Sequence, residues 1–290
     1  MFKPINDAHA ISEVVIYFEL GSKLSEGDIK ELEDLKIIFR KELPSSEDLV
    51  NISVAAKSEG MDITDAQFKQ SKSGFELKRF NTHTGTSKRT LEWVLRITDH
   101  IISVHCLSYI RWAPFKDEAL KYIEEAFKKL NLSGSGINSI ALKYIDRFIF
   151  EGDPSNCSFD KLFSKDSFYL NSTIFTKNDP RWHNHIGWFE NYEEKMEILN
   201  QLNIDAGFFD TPDGEKIHST NIDHNSILAH KEDEPIFKSF PLKSNIDEWN
   251  ELTKYIDSLH IFNKKVMGNM LTSNMVSEIS LEESSDESSK

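Results

Sequence analysis

Residues 137–150 read INSIALKYIDRFIF, and the organisation of the chain follows from this stretch. It is rich in β-branched and aromatic residues, which favours a buried strand. On a strand, Lys143 and Arg147 share one face because successive side chains alternate. Tyr144 and Asp146 share the opposite face. The stretch therefore predicts a strand with two chemically different faces, through which two sheets join edge to edge.

The segments before and after residue 134 contain the same order of elements. The first begins with the apolar run EVVIYFEL at 13–20, followed by a helix, several strands and a helix that starts near Pro114. The second begins at 137–150 and continues with a weak helix, a meander and a long amphipathic helix. The sequence predicts an α+β fold of two similar halves. Each half is a strand, a helix, an antiparallel meander and a helix, with the sheets backed by helices.

The two halves are predicted to span residues 1–134 and 135–271 and to pack as one globular unit. The remaining segment, 272–290, lacks apolar periodicity and is rich in Ser and acidic residues. Such a segment cannot bury enough apolar surface to offset the entropy that is lost on ordering. We therefore expect residues 272–290 to form a disordered acidic tail.

Composition argues against secreted and membrane classes of protein. Cys106 and Cys157 are the two cysteines of the chain, too few for a disulfide scaffold. No apolar run approaches the roughly 20 residues that a spanning helix needs. The first ten residues, MFKPINDAHA, lack the pattern of a signal peptide. These features predict a cytoplasmic protein without membrane contact.

The charge of the chain argues against a nucleic-acid partner. The net charge is −14, whereas binding to phosphate backbones depends on Lys and Arg. One local basic patch is predicted, where Lys78, Arg79, Lys88 and Arg89 flank a hairpin around Gly85. The sequence favours a protein partner or a small anionic ligand over DNA or RNA.

Several segments, in order, resemble a sporadically distributed family of conserved hypothetical bacterial proteins. The resemblance covers about residues 5–271 and supplies no catalytic residues. The most recognisable segment, ALKYIDRF, has Lys143 and Asp146 where the family normally has Arg and Asn. The segments that carry the resemblance are ISEVVIYF at 11–18, IRWAPF at 110–115, ALKYIDRF at 141–148, LNID at 202–205 and LHIF at 259–262.

The resemblance implies a bacterial setting. Sporadic occurrence is typical of genes carried in mobile or defence islands. The resemblance therefore implies an accessory role in phage defence or in a toxin–antitoxin pair.

Histidines are concentrated in the predicted meander. His183 and His185 are two residues apart on a strand, so both face the same side and resemble a metal-ligand pair. Neighbouring strands place the other candidate ligands too far away for convergence, which favours surface histidines without a metal. The remaining histidines of this region and the two candidate carboxylates are His218, His224, His230, Asp205 and Asp223.

A second candidate site lies in the strand 137–150. Lys143 and Arg147 project from one face and could grip a phosphate or carboxylate, with Tyr144 beside them in the sequence. The alternative is that both cations form cross-strand ion pairs in an acidic protein. We predict a ligand-binding role for Lys143, Tyr144 and Arg147.

Nucleophile and nucleotide motifs are absent from the sequence. There is no G-x-S-x-G, Walker A or G-x-G-x-x-G pattern, and Cys106 and His105 point to opposite faces of one strand. The leading hypothesis is a non-enzymatic recognition or interaction protein that needs no cofactor. The alternatives are a metal-dependent enzyme that uses the histidines of 183–230 and a sensor of a small anionic ligand.

Overall fold

The computed structural model describes the chain except residues 7, 60–61, 83–88, 131–135, 177–178, 211–213, 215 and 282–290. At 53–59, 62–69 and 82 it describes the backbone alone.

Among the described residues, ten antiparallel strands form one continuous sheet. The strands are β1 (Phe2–Pro4), β2 (Ile11–Leu20), β3 (Ser45–Glu59), β4 (Asp62–Thr82), β5 (Arg89–Thr98), β6 (Ile101–Cys106), β7 (Ile137–Phe150), β8 (Trp182–Glu193), β9 (Met196–Asp210) and β10 (Lys216–His230). Their spatial order is β3-β4-β5-β6-β2-β7-β10-β9-β8, and β1 pairs with the end of β7.

In the described part of the chain, five α-helices accompany the sheet, and two of them are long. The helices are α1 (Glu26–Leu32), α2 (Leu35–Ile38), α3 (Trp112–Leu130), α4 (Ile246–Met270) and α5 (Ser273–Glu278). Three short 3₁₀ turns lie between β7 and β8, at Pro154–Asn156, Phe159–Lys161 and Ser172–Phe175. Within the described parts of the chain, no helix is both long and apolar enough to cross a membrane.

The predicted α+β fold with two strand–helix halves is wrong. Strands account for 45% and helices for 29% of the structure, and all ten strands belong to one sheet. The helix expected early in the second half is replaced by the 3₁₀ turns. The strand 137–150 does join the strands before and after it, because β7 pairs with β2 on one side and β10 on the other. Strand β7 is therefore an interior strand of a single sheet in the described structure, and it is hydrogen-bonded to β2 and to β10.

The core lies between one face of the sheet and the helices α3 and α4. Alternate residues of β2 and β7, such as Ile16, Phe18 and Leu142, are buried there with Phe127 of α3 and Ile256 of α4. Full burial of such side chains contributes roughly 1.5–3 kcal/mol each. These apolar residues lie on one face of the sheet. The helices α3 and α4 therefore cover that face.

The expected disordered tail does not begin at residue 272. Helix α5 begins after the N-cap Thr272, whose side chain accepts a hydrogen bond from the backbone of Met275. Met275, Val276 and Ile279 are buried in the core near the end of α4. These apolar residues stabilise the segment, and the boundary predicted from its Ser-rich composition was therefore placed too early. Residues 282–290 lie outside the described part of the chain.

A bulge interrupts β2 beside β7. Ile11 pairs with Asp146 and Glu13 pairs with Ile145, so Ser12 is the extra residue. The Ser12 hydroxyl donates to the Ile145 carbonyl at 2.8 Å. Bulges re-aim side chains and are common beside functional sites. This one lies at the edge of the cavity described next.

Candidate ligand-binding pocket

A cavity of about 230 Å³ lies on the helix-covered face of the sheet. Strand β7 contributes Tyr144 and Asp146, and helix α4 contributes His260 and Asn263. The start of β2, the loop before α3, the first turn of α3 and the residues after α5 complete the walls. Segments that are distant in the sequence thus surround Tyr144 and Asp146 of β7.

Asp146 is the most unusual group in this cavity. Its side chain lines the pocket, yet the residue is only 4% exposed. Within the described residues, no group donates a hydrogen bond to its carboxyl or forms an ion pair with it. Burial therefore raises the pKa of Asp146 to about 7. Buried polar groups are nearly always paired in native proteins, so a missing partner requires an explanation.

A chain of contacts holds one aromatic wall. The Tyr144 hydroxyl lies 2.8 Å from Nδ1 of His260, and the His260 ring stacks on Trp112 with centroids 4.2 Å apart. The Trp112 indole donates to Asp257 at 2.9 Å, and Lys116 donates to the same carboxylate at 2.7 Å. The wall is therefore fixed through a charged anchor on α4.

The imidazole in this wall is neutral. Burial, reinforced by the charge of Lys264, lowers the pKa of His260 to about 4. Burial also keeps the pKa of Tyr144 well above its ordinary value. With the hydroxyl as donor to Nδ1, the imidazole proton of His260 lies on Nε2. The wall offers aromatic surface without charge.

A second group of side chains lies nearer to solvent. The rings of His9 and Tyr109 meet edge to face with centroids 5.3 Å apart, and both line the cavity. Burial lowers the pKa of His9, and the charge of Arg111 lowers it further. Arg111 is exposed and lines the cavity, as does Lys264. Two cations therefore stand near a neutral aromatic interior.

A buried polar network extends from the cavity into the sheet. Asn263 donates to Nδ1 of His224 at 2.9 Å, and Nε2 of His224 lies 3.2 Å from the Asn200 side-chain oxygen. Ser226 donates to the same oxygen at 2.8 Å. Burial lowers the pKa of His224 to about 4, so this ring is neutral as well. The network fixes Asn263, which forms part of the pocket wall.

The three residues predicted to bind one ligand do not share a site. Tyr144 lines the cavity, whereas Lys143 and Arg147 project from the opposite face of β7. Lys143 forms an ion pair with Asp223 at 2.7 Å, and Arg147 donates to the Asn221 side chain at 2.8 Å. Alternation along the strand places Tyr144 on one face of β7 and the two cations on the other.

The histidines of the meander divide between the two faces of the sheet. His183 and His185 are exposed, with ring centroids 5.6 Å apart. His218 and His224 are buried on the other face, which the helices cover. Over the residues with described side chains, no group of three or more His, Cys, Asp or Glu is placed to hold a metal ion.

One Cys–His contact was missed by the sequence reasoning. The Sγ of Cys157 lies 4.0 Å from Nδ1 of His218, and Nε2 of His218 donates to the Pro180 carbonyl at 2.8 Å. Burial raises the pKa of Cys157 to about 11, so the reactive thiolate is scarce at neutral pH. The aromatic rings of Phe2, Phe150 and Phe159 pack around the imidazole. This contact is a packing feature rather than a catalytic pair.

Comparison of the chain with models of known protein families and with curated proteins finds no match. The resemblance to the sporadically distributed bacterial family stays a prediction.

Proposed function

We propose that the chain is a non-enzymatic recognition protein that binds a small molecule in the pocket around Asp146. The observation that carries this proposal is a carboxyl that is 4% exposed, faces a cavity of about 230 Å³ and has no hydrogen-bond donor within the described structure. A ligand with N–H or O–H donors would supply the missing partner. Small-molecule sites are typically apolar hollows with a few such polar groups.

The surroundings of Asp146 support binding rather than catalysis. Tyr144 and His260 are hydrogen-bonded to each other, and both are held neutral by burial. Cys106, the cysteine nearest in sequence to the pocket loop, has its pKa raised to about 11 by burial. A nucleophile activated by a neighbouring base is therefore not formed from these groups.

Nucleic acid is not proposed as a partner. Lys78 forms ion pairs with Glu47 and Glu76, at 2.6 Å each. Arg79 forms ion pairs with Glu92 and Glu118, at 3.2 and 2.7 Å. These two cations of the predicted basic patch are thereby neutralised, whereas Lys88 lies outside the described residues.

The cellular role and the location rest on the sequence alone. The resemblance implies an accessory role in bacterial phage defence or in a toxin–antitoxin pair, with a protein partner. The low cysteine count favours the cytoplasm. In this proposal, ligand binding at the Asp146 pocket is the recognition event of such an accessory protein.

The test is a thermal-shift screen of small metabolites against the wild-type protein and two variants. Asp146→Asn alters the buried carboxyl, and Asp205→Asn alters an exposed carboxyl on strand β9. We expect ligands that stabilise the wild type and Asp205→Asn equally but Asp146→Asn much less. Stabilising ligands that act equally on all three proteins, or a screen in which none stabilises the wild type, would contradict the proposal.

A further inference from the structure

The geometry points to a ligand class for this pocket, an inference that rests on the proposed function. We propose that the pocket binds a guanine mononucleotide. The base presents two adjacent N–H donors to Asp146, and its phosphate lies toward Arg111. Three features of the cavity carry this inference: the acceptor at its buried end, the aromatic walls and the cations beside it.

The acceptor selects for a pair of donors. An ionised carboxylate accepts hydrogen bonds through two oxygens, and parallel N–H groups can engage both oxygens at once. The Watson–Crick edge of guanine presents such a pair, N1–H and the 2-amino group. Asp146 has no competing donor among the described residues, so both oxygens remain for the ligand.

The walls select for a flat ring. Trp112 and His260 stack at 4.2 Å with an interplanar angle of 9°, and both residues line the cavity. Tyr109 lies edge to face with Tyr144 at 6.4 Å. Aromatic side chains are the usual platform for a nucleobase because each base offers a π-face.

The charges select for an anionic substituent and against an organic cation. The protein has a net charge of −14, yet Arg111 and Lys264 both line this cavity. A simple amine that paired with Asp146 would be repelled by the Arg111 guanidinium. A neutral donor edge with a phosphate avoids that repulsion, and the Arg111 guanidinium can engage phosphate oxygens in a bidentate manner.

The volume limits the size of the ligand. A cavity of about 230 Å³ lies near the lower end of the roughly 300–1,000 Å³ that is typical of small-molecule sites. This space suits a fused-ring base with its phosphate at the mouth.

The experiment measures Kd by isothermal titration calorimetry for three ligands. GMP is the complete ligand, IMP lacks the 2-amino donor, and guanosine lacks the phosphate. For the wild type we expect GMP to bind about tenfold more tightly than either IMP or guanosine, since each loses one charge-assisted contact. Equal affinity for GMP and IMP would overturn the assignment of the base edge.

Two variants assign the contacts to residues, each with a matched control. Asp146→Asn should remove the preference for GMP over IMP, while Asp205→Asn should keep it. Arg111→Ala should weaken GMP about tenfold and leave guanosine unchanged, while Arg147→Ala, on the opposite face of β7, should change neither. Circular dichroism verifies that each variant is folded. A folded Asp146→Asn that keeps the GMP preference would overturn the proposal.

The same data separate the ligand class from the proposed function. Stabilisation by another compound that depends on Asp146, such as an α-amino acid with its ammonium on the carboxylate, would reject the nucleotide and retain the pocket. Binding of GMP that survives both Asp146→Asn and Arg111→Ala would place the nucleotide elsewhere. If no compound shows a dependence on Asp146, both proposals fail.

Discussion

The side-chain amide of Asn263 on α4 donates a hydrogen bond of 2.9 Å to Nδ1 of His224 on β10. Nε2 of the same ring faces the Asn200 oxygen at 3.2 Å, so both nitrogens of a neutral imidazole are engaged. The Trp188 ring lies parallel to His224, with centroids 6.0 Å apart. Because Asn263 also lines the cavity, the pocket wall is held in place by a network inside the core.

Substitution of Asn263 by Ala should lower the free energy of unfolding by about 2 kcal/mol. The variant leaves Nδ1 of buried His224 without its donor, and an unsatisfied buried group costs about 1–3 kcal/mol. Urea denaturation measures the change. Asn191→Ala, at an exposed position of β8, is the control and should change stability by less than about 0.5 kcal/mol. Equal effects of the two substitutions would contradict this role for Asn263.

Substitution of Asp146 by Asn should change how stability depends on pH. The pKa of Asp146 is about 7 in the folded state and 3.8 ordinarily, so the folded protein holds a proton that the unfolded chain releases between these values. Stability is therefore lost as pH rises through this window. Asp146→Asn removes that loss. Its stability relative to the wild type should be about 2–3 kcal/mol more favourable at pH 8 than at pH 5.

Denaturation of both proteins at pH 5 and pH 8 measures this difference. His224 and His260, whose pKa values are lowered to about 4, weaken the fold as pH falls from 6.5 toward 4. They do so in wild type and variant alike, so their effect cancels in the comparison. Asp205→Asn should show no such pH dependence. A difference between wild type and Asp146→Asn that is the same at both pH values would show that the carboxyl is already charged and paired.

Part of this site could be predicted from the sequence. The β-branched and aromatic residues of 137–150 correctly predict a strand, and alternation along it places Asp146 on the same face as Tyr144. The cavity itself could not be predicted, because His260 and Asn263 reach it from a helix more than a hundred residues later. A carboxylate within an apolar strand was the one local signal of the site.

The register of the histidine-rich hairpin shows a second limit. From the sequence, a hairpin around Asn191 and Tyr192 is predicted, which would place His185 opposite Leu199. In the structure the turn lies about two residues later, and His185 pairs with Asn203. The charged residues after Tyr192 form the turn, and no Gly or Pro marks it. The pairing register of a hairpin depends on the position of its turn. An error of two residues in that position therefore gives every residue of the strand the wrong cross-strand partner.

Two truncations should separate the ordered end of the chain from the acidic segment that follows it. Removal of residues 282–290, rich in Ser and acidic residues, should leave the melting temperature nearly unchanged. Removal of 273–290 also deletes the buried Met275, Val276 and Ile279 and should cost about 5 kcal/mol or more. Calorimetry measures both. A large loss from the shorter truncation would show that the acidic segment stabilises the fold.

Zinc should not stabilise the protein through His183 and His185. Both side chains are exposed, and a zinc site needs at least three protein ligands. The double substitution to Ala should leave the melting temperature unchanged, with or without an equimolar amount of zinc. Stoichiometric zinc in an untagged preparation, lost in the double variant, would instead favour the metal-dependent enzyme.

Proton release on ligand binding tests the central claim most directly. If the N–H groups of guanosine pair with ionised Asp146, binding at pH 6 must release the proton that the free carboxyl holds, since its pKa is about 7. Calorimetric titration in two buffers of different ionisation enthalpy counts this proton. We expect most of one proton to be released at pH 6, little at pH 8, and none at either pH in Asp146→Asn. Binding without proton release at pH 6, or equal release by Asp146→Asn, would contradict the account.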